Sequence, residues 1–223
     1  MPDYIKRLIA EGENQTLDFK FEISDFRKIA RTLVAFSNTD GGRLLVGVKD
    51  NGAIAGVRSE EEYYMIEGAA GLYCRPEIKF EVRNWQVEGR KILEVLINRG
   101  HTKPYMAQDE SGNWHAYIRQ RDQNFKASAL QLQVWENQKS GQTTTIRFRH
   151  AESVLLHYLE ENHSITQSKF RRLAGLSAPQ SSRILVDFMM LGLIHSEYMQ
   201  TTNNFTLSPD YKTIMEESAN IIT

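Results

Sequence analysis

The chain has 223 residues, enough for two compact units, and 41% hydrophobic with 25% charged residues is the composition of a protein that buries a core. Its 27 Lys plus Arg against 28 Asp plus Glu give a net charge of −1, so no global field draws it to nucleic acid or an anionic membrane, and any such contact must be local. Cys74 is the only cysteine, which excludes an internal disulfide framework and a Cys-rich zinc site, and no stretch approaches the ~20 apolar residues of a membrane span.

Met1–Ala10 carries Asp3, Lys6 and Arg7 where an export signal needs an apolar block, so the expected compartment is the cytoplasm. Between Asp25 and Asn38, Phe26, Ile29, Ala30, Leu33, Val34 and Ser37 recur at helical spacing, and Asn38-Thr-Asp-Gly-Gly42 then ends the helix and turns the chain. Here Gly41 and Gly42 permit a positive φ and a close backbone approach, and Asn38 is expected to cap the turn. Strands are predicted at Arg43–Lys49, Ile78–Val82, Lys91–Ile97 and Trp114–Arg119, with hairpin signals at Asp50-Asn51-Gly52 and Val87–Arg90. This first part is therefore α+β with a mixed sheet.

The polar stretch Asn137–Thr145 reads as a connector, which sets a first domain at 1–136, a linker at 137–148 and a mainly helical second domain at 149–223. Cut at His150, the chain has 22 basic and 20 acidic residues before and 5 and 8 after. Helices are predicted at Ala151–Glu161, Thr166–Ala174 and Ala178–Leu191, followed by a short hairpin within Ile194–Leu207, an order that suits a winged helix-turn-helix.

Gly12-Glu-Asn-Gln-Thr-Leu-Asp-Phe-Lys20, then Ala35-Phe-Ser-Asn-Thr-Asp-Gly-Gly-Arg-Leu-Leu-Val-Gly-Val-Lys-Asp-Asn-Gly52, then Thr102-Lys-Pro-Tyr105 and Ala116-Tyr-Ile-Arg-Gln-Arg121 follow one another along the chain. In this order they resemble the Schlafen AlbA_2 domain family over roughly residues 8–130. The resemblance implies nucleic-acid association. In relatives that cut RNA it also implies a divalent-metal site of acidic residues at the positions of Glu13, Asp18 and Asp50, with Lys20 as a phosphate partner; Asp18 stands where the family usually has the longer Glu. Mg²⁺ or Mn²⁺ belongs to that nuclease alternative alone, and no cofactor is otherwise expected. No Gly-x-x-x-x-Gly-Lys-Ser/Thr occurs, so no P-loop supports ATP hydrolysis.

The expected nucleic-acid surface of the first domain comprises His101, Lys103, Tyr105, Tyr117, Arg119, Arg121 and Lys126, since phosphates need flexible cations and exposed bases need aromatic platforms. In the second domain Ser164–Ser177 reads as the first half of a helix-turn-helix with Ile165, Phe170, Leu173 and Leu176 packed inward. Gln180, Ser181, Ser182 and Arg183 then begin the recognition helix, and Lys169, Arg171 and Arg172 hold the flanking backbone. Met189, Met190, Leu191 and Leu193 exceed what one core face needs and suggest a homodimer contact. The expected function is a DNA-binding transcriptional regulator rather than an enzyme, a homodimer acting on DNA or structured RNA without membrane contact. The alternatives are a metal-dependent endoribonuclease using Glu13, Asp18 and Asp50, and a protein-interaction adaptor.

Overall fold

The computed structural model of the chain describes residues 2–145, 148–199 and 202–220. It divides into two compact units, Met1–Ala127 and Ser128–Thr223.

In the first unit, α1 (Pro2–Glu11) leads to β1 (Leu17–Lys20), α2 (Phe26–Asn38) and β2 (Gly42–Val46). Then come α3 (Glu61–Leu72), β3 (Cys74–Arg75), β4 (Phe80–Val87), β5 (Arg90–Ile97), β6 (Met106–Gln108), β7 (Trp114–Gln120) and β8 (Gln123–Lys126). One sheet has the order β1-β2-β5-β4, with β1 and β2 parallel and the other pairs antiparallel. The other, β3-β6-β7-β8, is antiparallel throughout. The mixed α+β architecture expected from the sequence is present.

The two-residue period of the strands sorts their side chains between two cores. Leu44, Val46, Leu93, Val95 and Ile97 join Ile29, Leu33, Val34 and Phe36 of α2 and Ile66 and Ala69 of α3. Leu45, Ile92, Val87, Leu17 and Phe19 turn to the opposite face, where Ile5 and Leu8 of α1 cover them. Burying each such aliphatic side chain contributes about 1.5–3 kcal/mol, which is what fixes a short N-terminal helix that the sequence pattern did not announce. On this second face sits Glu94, wholly buried, accepting from Tyr4 Oη at 2.6 Å and Trp85 Nε1 at 2.9 Å, with Arg43 Nε at 3.5 Å.

Asp25 caps α2 by accepting from the backbone N–H of Arg27 at 2.8 Å and Lys28 at 3.3 Å. At its far end Gly41 has φ +75°, and a Cβ there would lie 2.7 Å from Ile97 O, so both predicted roles of this glycine are realised. Asn38 does not cap the turn as expected: it is buried, and its Nδ2 donates to Tyr105 O at 2.8 Å and Tyr117 O at 2.9 Å while its Oδ1 accepts from Tyr105 N at 2.8 Å. The strand expected through Lys49 stops at Val46, because Gly47 (φ +95°) and Val48 both donate to Lys20 O and bend the chain away. Residues 49–53 form the expected turn, in which Lys49 N donates to Ala53 O at 3.0 Å and Gly52 N to Lys49 O at 2.8 Å, beside a bridge between Val48 and Ile54. The second predicted hairpin, β4–β5, turns through Glu88 and Gly89, both with positive φ.

In the second unit α4 (Ala129–Lys139) precedes α5 (His150–Asn162), β9 (Ser164–Thr166), α6 (Gln167–Ala174), α7 (Ala178–Met190), β10 (Ile194–Met199), β11 (Thr202–Leu207) and α8 (Tyr211–Asn220). The strands form an antiparallel sheet of order β10-β11-β9. Thr166 Oγ1 caps α6, Gly175 ends it in the left-handed region, and Ser177 with Gln180 closes a reciprocal box at the start of α7. Leu155, Leu159, Ile165, Phe170, Leu185, Phe188, Leu193, Ile194 and Phe205 make the core. Ile165 and Phe170 pack inward as expected, but Leu173 is 43% exposed, and Ala174 and Leu176 pack against the core instead. Met189 and Leu191 pack against this same core, which accounts for part of the apolar surplus. No helix among the described residues is long and apolar enough to cross a membrane.

Candidate functional site

In β1, Leu17 and Phe19 enter the core under α1, which sends Asp18 and Lys20 to the other side. There Asp18, only 3% exposed, meets Arg119 of β7, whose Nη2 lies 3.0 Å from Oδ1. Lys20 Nζ is 2.6 Å from Asp18 Oδ2, outside hydrogen-bond alignment, and donates to Phe19 O at 2.7 Å. Glu13 Oε1 accepts the Phe19 N–H at 2.8 Å. Burial raises the Glu13 carboxyl above its ordinary range, the Phe19 N–H partly opposes this, and the charge of Asp18 adds to it. Glu13, Asp18 and Lys20 are therefore brought together as the motif suggested.

Asp50 does not join them: it is exposed in the turn at 49–53. Among the described residues no group of three or more His, Cys, Asp or Glu side chains is arranged to hold a metal ion. The donor set explains why the expected carboxylate triad does not fit one, since Asp18 is engaged by Arg119 and Lys20 and Glu13 by a backbone N–H.

Arg119 also corrects an expectation. It is 3% exposed, stacks over the Phe36 ring at 5.2 Å, and donates to Asn14 O at 3.2 Å, Leu17 O at 3.1 Å and Asn124 Oδ1 at 3.2 Å. Asn124 passes the connection to Thr32 of α2 at 3.1 Å. Arg119 is thus a clamp that joins β1, β7, β8 and α2, and not part of a nucleic-acid surface. Tyr117 is buried as well, because the inward face of β7 packs on α2, and that burial raises its hydroxyl pKa.

Of the cations expected at the nucleic-acid surface of the first domain, those that remain accessible lie on the loop after β5 and on the β7–β8 hairpin. Gly100 N donates to Ser37 O at 2.8 Å and the Tyr105 backbone is held by Asn38, so the loop between them is pinned at both ends. This loop carries exposed His101 and half-buried Lys103, whose pKa is lowered to about 8 by burial first and then by Arg99, against the opposing charge of Asp40. Gln15 Nε2 donates to Asp40 Oδ2 at 2.9 Å and Gln15 Oε1 accepts from Arg121 N at 2.8 Å, which brings the exposed β7–β8 turn to the same neighbourhood. Lys126 is exposed at the end of β8, beside a cleft shared with Arg31, Asp109 and Glu110. Arg99, Asp40 and Gln15 were missed from sequence, although Arg99-Gly-His-Thr-Lys103 places three basic side chains within five residues.

In the second unit Arg171 and Arg172 are exposed on α6, Lys169 is half-buried over the Tyr158 ring, and Arg183 stands exposed on α7. Gln180 is exposed, with its Oε1 engaged by Ser177 N at 2.9 Å. Ser181, expected to meet bases, is fully buried: its Oγ donates to Ala178 O at 2.9 Å and accepts from Gln167 Nε2 at 3.0 Å. It serves to join α6 to α7.

No curated protein matches the chain. Among solved structures it is similar to the DIP2311 protein of Corynebacterium diphtheriae, at 16% identity and TM-score 0.44, covering 98% of this chain and 53% of that one. It is also similar to the N-terminal domain of an ATP-dependent DNA helicase RecG-related protein from Nitrosomonas europaea, at 20% identity and TM-score 0.41, covering 66% of this chain and 94% of that one. The chain thus spans about half the length of the first of these. The family model of Schlafen, AlbA_2 matches residues 13–128, more than half of the sequence and every motif residue from Glu13 to Lys126, and the chain therefore belongs to the Schlafen AlbA_2 family.

Proposed function

We propose that the chain is a nucleic-acid-binding regulator whose AlbA_2 unit works with a C-terminal winged helix-turn-helix, acting on duplex DNA as a homodimer. The observation that carries this reading is the exposed set Arg171, Arg172 and Arg183 on α6 and α7, on either side of the turn at Gly175. Paired helices with cations on both suit one helix in a major groove and phosphate contacts beside it. The order α5, β9, α6, α7, β10, β11 supports the winged-helix assignment, with β10 and β11 as the wing. The cations around Lys103 supply a second phosphate-facing locus, and two-fold symmetry would match a palindromic site. Cleavage is left out of this reading because Asp50 stands apart and no third acidic side chain joins Glu13 and Asp18 among the described residues.

The test is fluorescence anisotropy of the full chain with labelled duplex DNA and with structured RNA across about 50 to 200 mM salt. Binding should weaken steeply with salt, and Arg171→Ala with Arg172→Ala should reduce the logarithmic slope by about two, one per lost phosphate contact. An absence of salt-sensitive binding to either nucleic acid would sink the reading, and a stable protein partner without nucleic-acid affinity would favour an adaptor.

Lys103 makes binding depend on pH. A phosphate selects the ammonium form, which predominates below pH 8 and is lost above it. Affinity should therefore fall as pH rises from 7 to 9, by up to about tenfold, and Lys103→Arg should flatten the profile because its guanidinium stays charged. An unchanged slope in that variant would remove Lys103 from the contact.

A further inference from the structure

A cavity of the second unit, about 830 Å³, opens between the N-terminus of α5, the end of α6 and the side of α7. Leu176, Ile184 and Phe188 form its apolar floor, and Phe188 is wholly buried beneath it. Two carboxylates, Asp187 of α7 and Glu152 of α5, line the same space. Asp187 is half-buried, and its only ion-pair partner among the described residues is Arg183 at 3.9 Å, a side chain 86% exposed. Such a loose and solvent-screened pair leaves most of the Asp187 charge uncompensated. Burial raises the Asp187 carboxyl above its ordinary range, Arg183 partly opposes this, and the charge of Glu152 adds to it.

We propose that this cavity is a binding site for an amphipathic amine, with the ammonium on Asp187 and Glu152 and the apolar body on Leu176 and Ile184. The other charged groups at the cavity, Arg149, His150 and Arg183, are all exposed at its rim, where water screens them. The half-buried carboxylates act through less water and decide the sign of the ligand. A protonated amine supplies the close, aligned donor that Arg183 does not, and charge-assisted hydrogen bonds of this type are the strong ones. An apolar body covers the half-buried Leu176 and Ile184, whose remaining contact with water is otherwise a cost. The site does not depend on the nucleic-acid reading, since its ligand is recognised without nucleic acid present.

The experiment titrates the full chain by calorimetry with 3-phenylpropylamine, 3-phenylpropionate and 3-phenylpropanol, which share one apolar body and differ in charge. The amine is expected to bind, with the alcohol weaker by about tenfold and the carboxylate weaker still. Asp187→Asn should weaken the amine by about tenfold and leave the alcohol unchanged, which separates loss of charge from loss of fold. Ile184→Ala should weaken the amine and the alcohol together. Equal or tighter binding of the carboxylate, or amine affinity unchanged in Asp187→Asn, would overturn the proposal.

Discussion

Replacing Arg119 with Met is expected to destabilise the first unit by about 3–5 kcal/mol, the cost of leaving a buried partner charge uncompensated. Asp18 is 3% exposed and would keep only Lys20, whose ammonium sits out of alignment on Oδ2. The carbonyls of Asn14 and Leu17 would lose their donor at the same time, so the chain leading into β1 would loosen. Asp18→Asn removes the counter-charge of the buried Arg119, but the amide oxygen and the Asn14, Leu17 and Asn124 oxygens still accept from the guanidinium, so it should cost less. The double variant Arg119→Met with Asp18→Asn should be more stable than Arg119→Met alone. Urea unfolding followed by hydrogen exchange at β1 and β7 reads the effect in the correct unit, which a global melt of a two-unit chain does not guarantee. If the double variant lost the sum of the two single effects, the pair would carry no coupling and the clamp assignment would fail.

This clamp also shows where sequence reasoning stops. Alternation in Trp114–Arg119 marks two faces of a strand, and Tyr117 and Arg119 share one of them, but periodicity does not say which face is buried. A charged residue is normally assigned to water. The reverse holds for Arg119 because Asp18, distant in sequence, arrives opposite it, and that pairing depends on tertiary register alone. Local signals fared better. The helices expected from Asp25, Thr166 and Ala178 begin at Phe26, Gln167 and Ala178, where Asp25, Thr166 and Ser177 accept from the N–H groups that a cap requires. Asp18 and Lys20 were legible as a group because one short strand carries them, and Glu13 lies just ahead of it and accepts from Phe19 N–H, whereas Asp50 follows a bend that Gly47 imposes. Ser181 looked like a surface hydroxyl in a polar run, yet one helical turn rotates it onto Gln167. Helices α1 and α3 went unread, since α1 is held by packing on the sheet and α3 carries Gly68 and Gly71 in its interior.

Asn38→Asp provides the second large effect, and its sign depends on pH. The Asn38 amide donates to two carbonyls, Tyr105 O and Tyr117 O, from a position 2% exposed. Asn38→Ala would leave those carbonyls and the Tyr105 N–H unpaired, a loss of at least about 3 kcal/mol at about 1–3 kcal/mol per group. An ionised carboxylate in the same place keeps the Tyr105 N–H but turns an oxygen toward carbonyl oxygens, so at neutral pH Asn38→Asp should be the less stable of the two. Burial raises the introduced carboxyl in the folded chain above its unfolded value of about 4. Its destabilisation is therefore smallest below about pH 4, where a protonated carboxyl donates one hydrogen bond, and grows as pH rises through the folded value. The two variants should converge in acid and separate toward pH 7 in paired urea titrations, while a difference independent of pH would mean that the side chain finds water. The same substitutions bear on binding, because Asn38 and Ser37 pin the two ends of the loop that carries His101 and Lys103. Freed from Asn38, that loop should lose its nucleic-acid contribution while Arg171, Arg172 and Arg183 retain theirs. Residual salt-sensitive binding in Asn38→Ala then measures the share of the second unit alone.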